Sequence, residues 1–158
     1  METVNVFMCD AQLAEQLNRL LIFAEHYSGK PVKEVALGFE TISSKLKVNV
    51  PIKIFEGREW FMSILGDQEL SPEYKGEKFD IIFLRAENLR KYYYHDYKMN
   101  LRTILEKYGK EDTKVIIFHC TACVECNDFV RHTYAGINFE FADENYIFKY
   151  FKEYVVFE

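Results

Sequence analysis

The chain has 158 residues, of which 49% are hydrophobic and 28% charged, so we expect one globular domain over residues 1–158 rather than a disordered chain. Its net charge is −5 and its basic residues form no long stripe, which argues against nucleic acid as a partner. No apolar run approaches the roughly 20 residues that span a bilayer, so we expect no membrane association.

The amino-terminal part is predicted to form a strand and an amphipathic helix. Thr3–Met8 is a short apolar strand, and Asp10 is suited to cap the helix that follows it. Ser28-Gly29 ends this helix. The apolar face of the helix consists of residues at helical spacing: Leu13, Leu17, Leu20, Leu21 and Ala24.

Residues 31–47 form a second segment with apolar residues at helical spacing. Pro31 suits the first turn of a helix that would extend to Leu46. Gly38 and several β-branched residues oppose this interpretation, so an irregular or partly extended segment is the alternative. We therefore expect an additional helical or irregular segment here.

The rest of the chain alternates between apolar strands and helices. Phe79–Leu84, which ends at Arg85, has the nearly unbroken apolar character of a strand buried on both faces of a parallel sheet. A tyrosine-rich loop is expected within residues 86–98. The other predicted elements are the strand Val48–Phe55, the helix Arg58–Leu65, a helix ending at Tyr108, the strand Val115–Phe118, the helix Val124–Tyr134, the strand Ile137–Phe141, and a last helix from Asp143 or Glu144.

This alternation predicts an α/β fold: a three-layer α/β/α sandwich around a sheet of five parallel strands with right-handed crossovers. No linker or repeat divides the chain, so we expect no separate output domain. Chemistry in such sheets is found at the carboxyl ends of the strands.

Four stretches resemble the receiver domain of bacterial response regulators, in the style of receivers attached to LytTR-type regulators. They are Val6–Asp10, Phe79–Leu84, Val115–Ala122 and Ala135–Phe139. The resemblance implies the flavodoxin-like strand order 2-1-3-4-5. It also implies a phosphoacceptor pocket, with an acidic pair for Mg²⁺, an acceptor Asp, a hydroxyl and a Lys.

The matched pocket departs from that pattern. Asp10, beside Cys9, matches one acid, and Thr121 matches the hydroxyl; however, Arg85 stands at the acceptor position and Asp143 near the Lys position. A guanidinium cannot accept a phosphoryl group in the aspartyl manner. The resemblance therefore implies a pseudo-receiver: not an enzyme, without a cofactor, and acting in two-component-type signal transduction by protein–protein contact. Arg85 is expected either to pair with Asp10 or to extend towards solvent.

The last predicted helix carries more aromatic residues than one buried stripe needs. Its candidate interface residues are Tyr146, Tyr150, Phe151 and Tyr154. In receivers, the face from the fourth strand to the last helix is the usual dimer or partner surface, and aromatic side chains suit interfaces. We expect a homodimer or a protein partner there; a wide core stripe is the alternative.

Three cysteines follow the fourth predicted strand in the pattern C-x₂-C-x₂-C: Cys120, Cys123 and Cys126. This spacing suits zinc or an iron–sulfur cluster, and Cys120–Cys123 also has the spacing of a redox pair at a helix N-terminus. Alternatively, the thiols are small buried apolar groups of a reduced cytoplasmic protein, since the chain shows no secretion signal. A thiol-redox or metal-binding protein is thus one competing function, and a flavodoxin-like domain that binds a nucleotide or other small ligand at the carboxyl ends of the strands is another.

Overall fold

The computed structural model of the protein describes residues 3–8, 17–39, 52–56, 78–93 and 100–143. The strands in these ranges are β1 (Val4–Met8), β2 (Val32–Phe39), β3 (Ile52–Glu56), β4 (Ile81–Arg85), β5 (Lys114–Phe118) and β6 (Glu140–Ala142). The helices in the same ranges are α1 (Leu17–Ser28), α2 (Ala86–Tyr93), α3 (Leu101–Tyr108) and α4 (Val124–Thr133). The predicted helix Arg58–Leu65 lies outside the described residues, as does nearly all of the predicted last helix.

These strands form one sheet in the order β3-β2-β1-β4-β5-β6, and every neighbouring pair is parallel. The five predicted strands correspond to β1, β3, β4, β5 and β6. Their relative order is 2-1-3-4-5, which confirms the α/β class expected from the alternation of elements and the strand order that the resemblance implied. A sixth strand, β2, lies between the first and second predicted strands.

The additional strand corrects the helical alternative for the described part of the 31–47 segment, Val32–Phe39; residues 40–47 lie outside the described residues. Val32–Phe39 pairs with β1 on one side and β3 on the other, and Val35 is completely buried. A helix here would carry Gly38 in its interior, at a cost of about 1 kcal/mol, and would crowd its β-branched residues. Pairing on both sides instead satisfies the backbone, and Val32 and Val35 are buried, so the partly extended alternative is correct for Val32–Phe39.

The described helices cover both faces of the sheet. The ring of Phe83 in β4 lies 6.0 Å from that of Phe23 in α1. Its neighbours Ile82 and Leu84 belong instead to a core cluster that includes buried residues of α2, α3 and α4. Because successive residues of a strand point to opposite faces, α1 covers one face and α2–α4 cover the other. The predicted three-layer arrangement is confirmed.

The tyrosine-rich segment contains a helix where a loop was expected. β4 ends at Arg85 and α2 begins at the next residue, with Ala86 and Leu89 completely buried. Tyr93 lies on the same face and packs edge-on against Phe129 of α4, with ring centroids 5.1 Å apart. Ala86, Leu89 and Tyr93 have the i, i+3, i+7 spacing of a helix face, but the neighbouring tyrosines obscured this helical pattern in the sequence. This face places α2 directly against α4.

Candidate functional site

Three free thiols form a cluster where β5 passes into α4, at the carboxyl edge of the sheet. We call Cys120, Cys123 and Cys126 the thiol cluster. Cys120 follows β5 and is buried, Cys123 is the N-cap of α4, and Cys126 is buried in the first turn. Residues three apart on a helix share a face, and side chains lean towards the helix N-terminus. The helix therefore directs Cys126 back towards Cys123.

The sulfur atoms of the thiol cluster lie close together. All three Sγ atoms are within 4.8 Å of one another, and those of Cys123 and Cys126 are 2.9 Å apart. This separation is only about 0.9 Å longer than the S–S bond of a disulfide. The sequence analysis assigned a redox pair to Cys120–Cys123; the structure adds Cys126 as a contact partner of Cys123, a pairing that was not predicted.

Asn127 of α4 fixes the loop that carries Cys120. Its Oδ1 accepts a hydrogen bond of 2.7 Å from the Cys120 backbone N–H, and its Nδ2 donates one of 3.1 Å to the Cys120 carbonyl. One amide side chain thus satisfies both backbone groups of a buried residue. The two bonds hold Cys120 against the first turn of the helix that contains the other thiols.

Arg90 brings a positive charge from α2 to the thiol cluster. Its Nη1 lies 3.8 Å from Sγ of Cys123 and 3.7 Å from Sγ of Cys126. Its Nη2 pairs with Oε2 of Glu125 at 3.3 Å. A guanidinium at this distance favours the thiolate form of a neighbouring cysteine over the neutral thiol.

The two thiols in contact differ in acidity. The pKa of Cys123 is lowered, first by its side-chain hydrogen bond with Cys126, then by a hydrogen bond from the Cys126 backbone, and least by the charge of Arg90. Burial, followed by the interaction with Cys123, raises the pKa of Cys126 to about 11. The more exposed Cys123 is consequently the better nucleophile, and the buried Cys126 is its protonated partner.

A carboxylate from α2 reaches the third thiol. The Cys120 thiol lies 3.7 Å from Oε2 of Glu87, and the other oxygen of Glu87 forms an ion pair with Arg85. Arg85, the last residue of β4, is 22% exposed in its side chain. Arg85 therefore orients Glu87. The expected pairing of Arg85 with Asp10 stays a prediction, since Asp10 lies outside the described residues.

The other predicted site residues do not contribute described contacts to the thiol cluster. Thr121 is exposed in the loop after β5, and Asp143 is exposed immediately after β6. Cys9 lies outside the described residues. So do all of the predicted interface residues: Tyr146, Tyr150, Phe151 and Tyr154.

Three residues around the thiol cluster were not connected with it from the sequence: Glu87, Arg90 and Asn127. Glu87 was considered only as a possible lining residue of a small-molecule pocket, with a packed aromatic loop as the alternative. Glu87 and Arg90 are three residues apart on one helical face, and this spacing is the signal that would have paired them. It went unrecognised because their segment was interpreted as a loop. Asn127 follows directly after Cys126, but nothing in the sequence shows that its side chain reaches back to Cys120.

Comparison with protein-family models, with curated proteins and with solved structures found no match to this chain. None of the helices in the described part of the chain combines the length and apolar character needed to cross a membrane.

Proposed function

We propose that the protein carries out thiol–disulfide exchange, with Cys123 as nucleophile and Cys126 as the second thiol of a reversible dithiol/disulfide pair. The observation that carries this proposal is the 2.9 Å separation of their sulfur atoms across the first turn of α4. The substrate class is a disulfide of a protein or of a small thiol. A reducing compartment such as the cytoplasm would keep the pair in its dithiol form.

The exchange proceeds in two steps. The Cys123 thiolate attacks one sulfur of the substrate disulfide, forms a mixed disulfide, and expels the other sulfur as a thiolate that takes up a proton. Cys126 then loses its proton and attacks Sγ of Cys123, which breaks the mixed disulfide and releases the second substrate thiol. The substrate disulfide is reduced to two thiols, and the dithiol of the protein is oxidised to a disulfide.

The surroundings of the pair support this division of roles. Arg90 lies near both sulfurs and can stabilise a thiolate at either, so it activates the pair without deciding which thiol attacks. Burial shields Cys126 from direct attack by outside reagents but leaves it in contact with Cys123. Val124, between them in the sequence, is the only large apolar side chain found strongly exposed in the described part of the chain, at 70%, and offers an apolar contact for a substrate.

A redox titration tests the proposal. Protein equilibrated with defined ratios of reduced to oxidised dithiothreitol and then alkylated should show a single two-electron transition. Peptide mapping should locate the disulfide at Cys123–Cys126, and Cys120→Ser should retain it as the matched control. A protein that keeps both thiols reduced under fully oxidising conditions, or that forms only disulfides to Cys120, would contradict the proposal.

A second proposal is phosphorylation-independent signalling through contact with a protein partner or a second copy of the chain. The relative order of the five predicted strands, which is that of receivers, supports this proposal. So does Arg85 at the end of β4, because it stands where a receiver has the aspartate that accepts the phosphoryl group. Incubation with acetyl phosphate and Mg²⁺ should leave the mass of the protein unchanged. Light scattering should show a dimer that Phe151→Asp dissociates. A stoichiometric phosphoryl adduct, or a monomer with no binding partner, would count against this role.

A further inference from the structure

We propose that the reduced thiol cluster is a binding site for one zinc ion, with Cys120, Cys123 and Cys126 as thiolate ligands and Glu87 as the fourth ligand. Glu87 comes from α2 and the cysteines from the end of β5 and the start of α4, so the ion would join two elements of the fold. The site shares two thiols with the proposed exchange reaction but does not depend on that reaction.

The sulfur positions are close to those of a tetrahedral zinc site. Zinc–sulfur bonds of about 2.3 Å place neighbouring sulfurs about 3.8 Å apart in a tetrahedron. In the thiol cluster, the closest contact, between Cys123 and Cys126, is 2.9 Å, and all three sulfurs lie within 4.8 Å of one another. The one short separation is about 0.9 Å less than the tetrahedral distance, and the upper limit for the others is about 1 Å more, so metal binding would require side-chain shifts of no more than about 1 Å.

One carboxylate oxygen of Glu87 lies at ligand separation from one of the three sulfurs, that of Cys120. Zinc–oxygen bonds of about 2.1 Å would place a carboxylate oxygen roughly 3.6 Å from each sulfur ligand. Oε2 of Glu87 is 3.7 Å from Sγ of Cys120. Its other oxygen is held by Arg85, and such a hydrogen-bonded carboxylate is oriented towards the metal before binding. Glu87 therefore lies beside Cys120, and its carboxylate would have to turn towards Cys123 and Cys126 as zinc binds, because only the three sulfurs lie within 4.8 Å of one another.

The charges near the site also favour this assignment. Three thiolates and a carboxylate around Zn²⁺ carry a net formal charge of minus two. Arg85 contacts Glu87, and Arg90 lies near the sulfurs of Cys123 and Cys126, so two guanidinium groups offset that charge. The side chain of Arg90 is 37% exposed, which leaves it room to move outwards as the sulfurs turn towards a metal.

Zinc titration of the anaerobically reduced protein against a chromophoric chelator tests the site. We expect one zinc ion per chain, and Co²⁺ should give the intense visible absorption of a tetrahedral thiolate site. Cys120→Ser and Glu87→Gln should each weaken zinc binding by at least roughly tenfold. Glu111→Gln, in the turn before β5 at the opposite edge of the sheet, is the matched control and should bind zinc as the wild type does.

Several results would overturn the proposal. Wild-type protein that binds no zinc, or that holds iron and sulfide instead, removes the zinc site. Unchanged affinity in Glu87→Gln removes Glu87 as a ligand. The exchange reaction is tested separately by the redox titration, because Cys120→Ser removes a zinc ligand but keeps Cys123 and Cys126. Zinc binding without a disulfide transition refutes only the exchange proposal, and a disulfide transition without zinc binding refutes only the zinc site.

Discussion

A Cys126→Ser variant is expected to accumulate a stable mixed disulfide at Cys123, whereas a Cys123→Ser variant should react slowly and form little adduct. In the first variant, Cys123 loses its contact with the Cys126 thiol but keeps its exposure, its position at the N-cap of α4, the backbone hydrogen bond from residue 126 and the nearby charge of Arg90. The thiol that would resolve the mixed disulfide is missing. The adduct formed with a substrate disulfide is therefore trapped.

The reverse variant leaves only the buried thiol of the pair. With a pKa of about 11 in the wild type, Cys126 has a thiolate fraction on the order of 10⁻⁴ at pH 7. Serine at position 123 removes the sulfur contact but not the burial of Cys126. We expect the reaction of Cys123→Ser with a disulfide reagent to be slower than that of Cys126→Ser by at least roughly tenfold.

The measurement uses a disulfide reagent that releases a coloured thiolate, together with intact-mass analysis. Both variants are made in a background that lacks the other two cysteines, Cys9→Ser and Cys120→Ser. The background protein with both Cys123 and Cys126 should release two equivalents of thiolate and retain no adduct. The Cys126→Ser protein should release one equivalent of thiolate and keep the mixed-disulfide adduct on Cys123. Equal rates for the two single-cysteine proteins, or an adduct that persists in the background protein, would show that the roles are assigned incorrectly.

The strands were largely predictable because burial on both faces leaves a strong pattern in the sequence. Phe79–Leu84 has no polar residue between its charged neighbours except Asp80, and β4 was found within one residue at its end. Val32–Phe39 was harder because its apolar spacing fits a helix as well as a strand. Only its pairing with β1 and β3, which involves distant residues, decides between them.

The site was only partly predictable for a related reason. Cys120, Cys123 and Cys126 are close in sequence, so their clustering could be expected from spacing alone. The groups that determine their chemistry come from α2: Glu87 beside Cys120, and Arg90 beside the other two thiols. The packing of α2 against α4 follows from tertiary structure, so no local pattern indicates it. Arg85 was singled out from the sequence for its place at the acceptor position, but its contact with Glu87 could not be foreseen.

Asn127→Ala is expected to lower the free energy of unfolding by about 1–3 kcal/mol and to weaken zinc binding. Truncation removes the acceptor of the 2.7 Å bond from the Cys120 N–H and the donor of the 3.1 Å bond to its carbonyl. Unpaired backbone groups at a buried residue carry most of this cost. Without these two hydrogen bonds, Cys120 is no longer held beside α4, whereas the positions of Cys123 and Cys126 are set by the helix itself.

Asp128→Ala is the matched control for Asn127→Ala. It changes the adjacent position of the same helix, where the side chain makes only an exposed pair with Arg131 in the described structure. That pair contributes about 0–1 kcal/mol, and both substitutions gain similar helix propensity. Urea unfolding of the reduced, metal-free proteins, followed by circular dichroism, compares the two. Zinc titration should then show weaker binding for Asn127→Ala alone, while the Cys123–Cys126 transition is retained in both. Equal stabilities and zinc affinities in the two variants would mean that Asn127 does not hold Cys120 in the site.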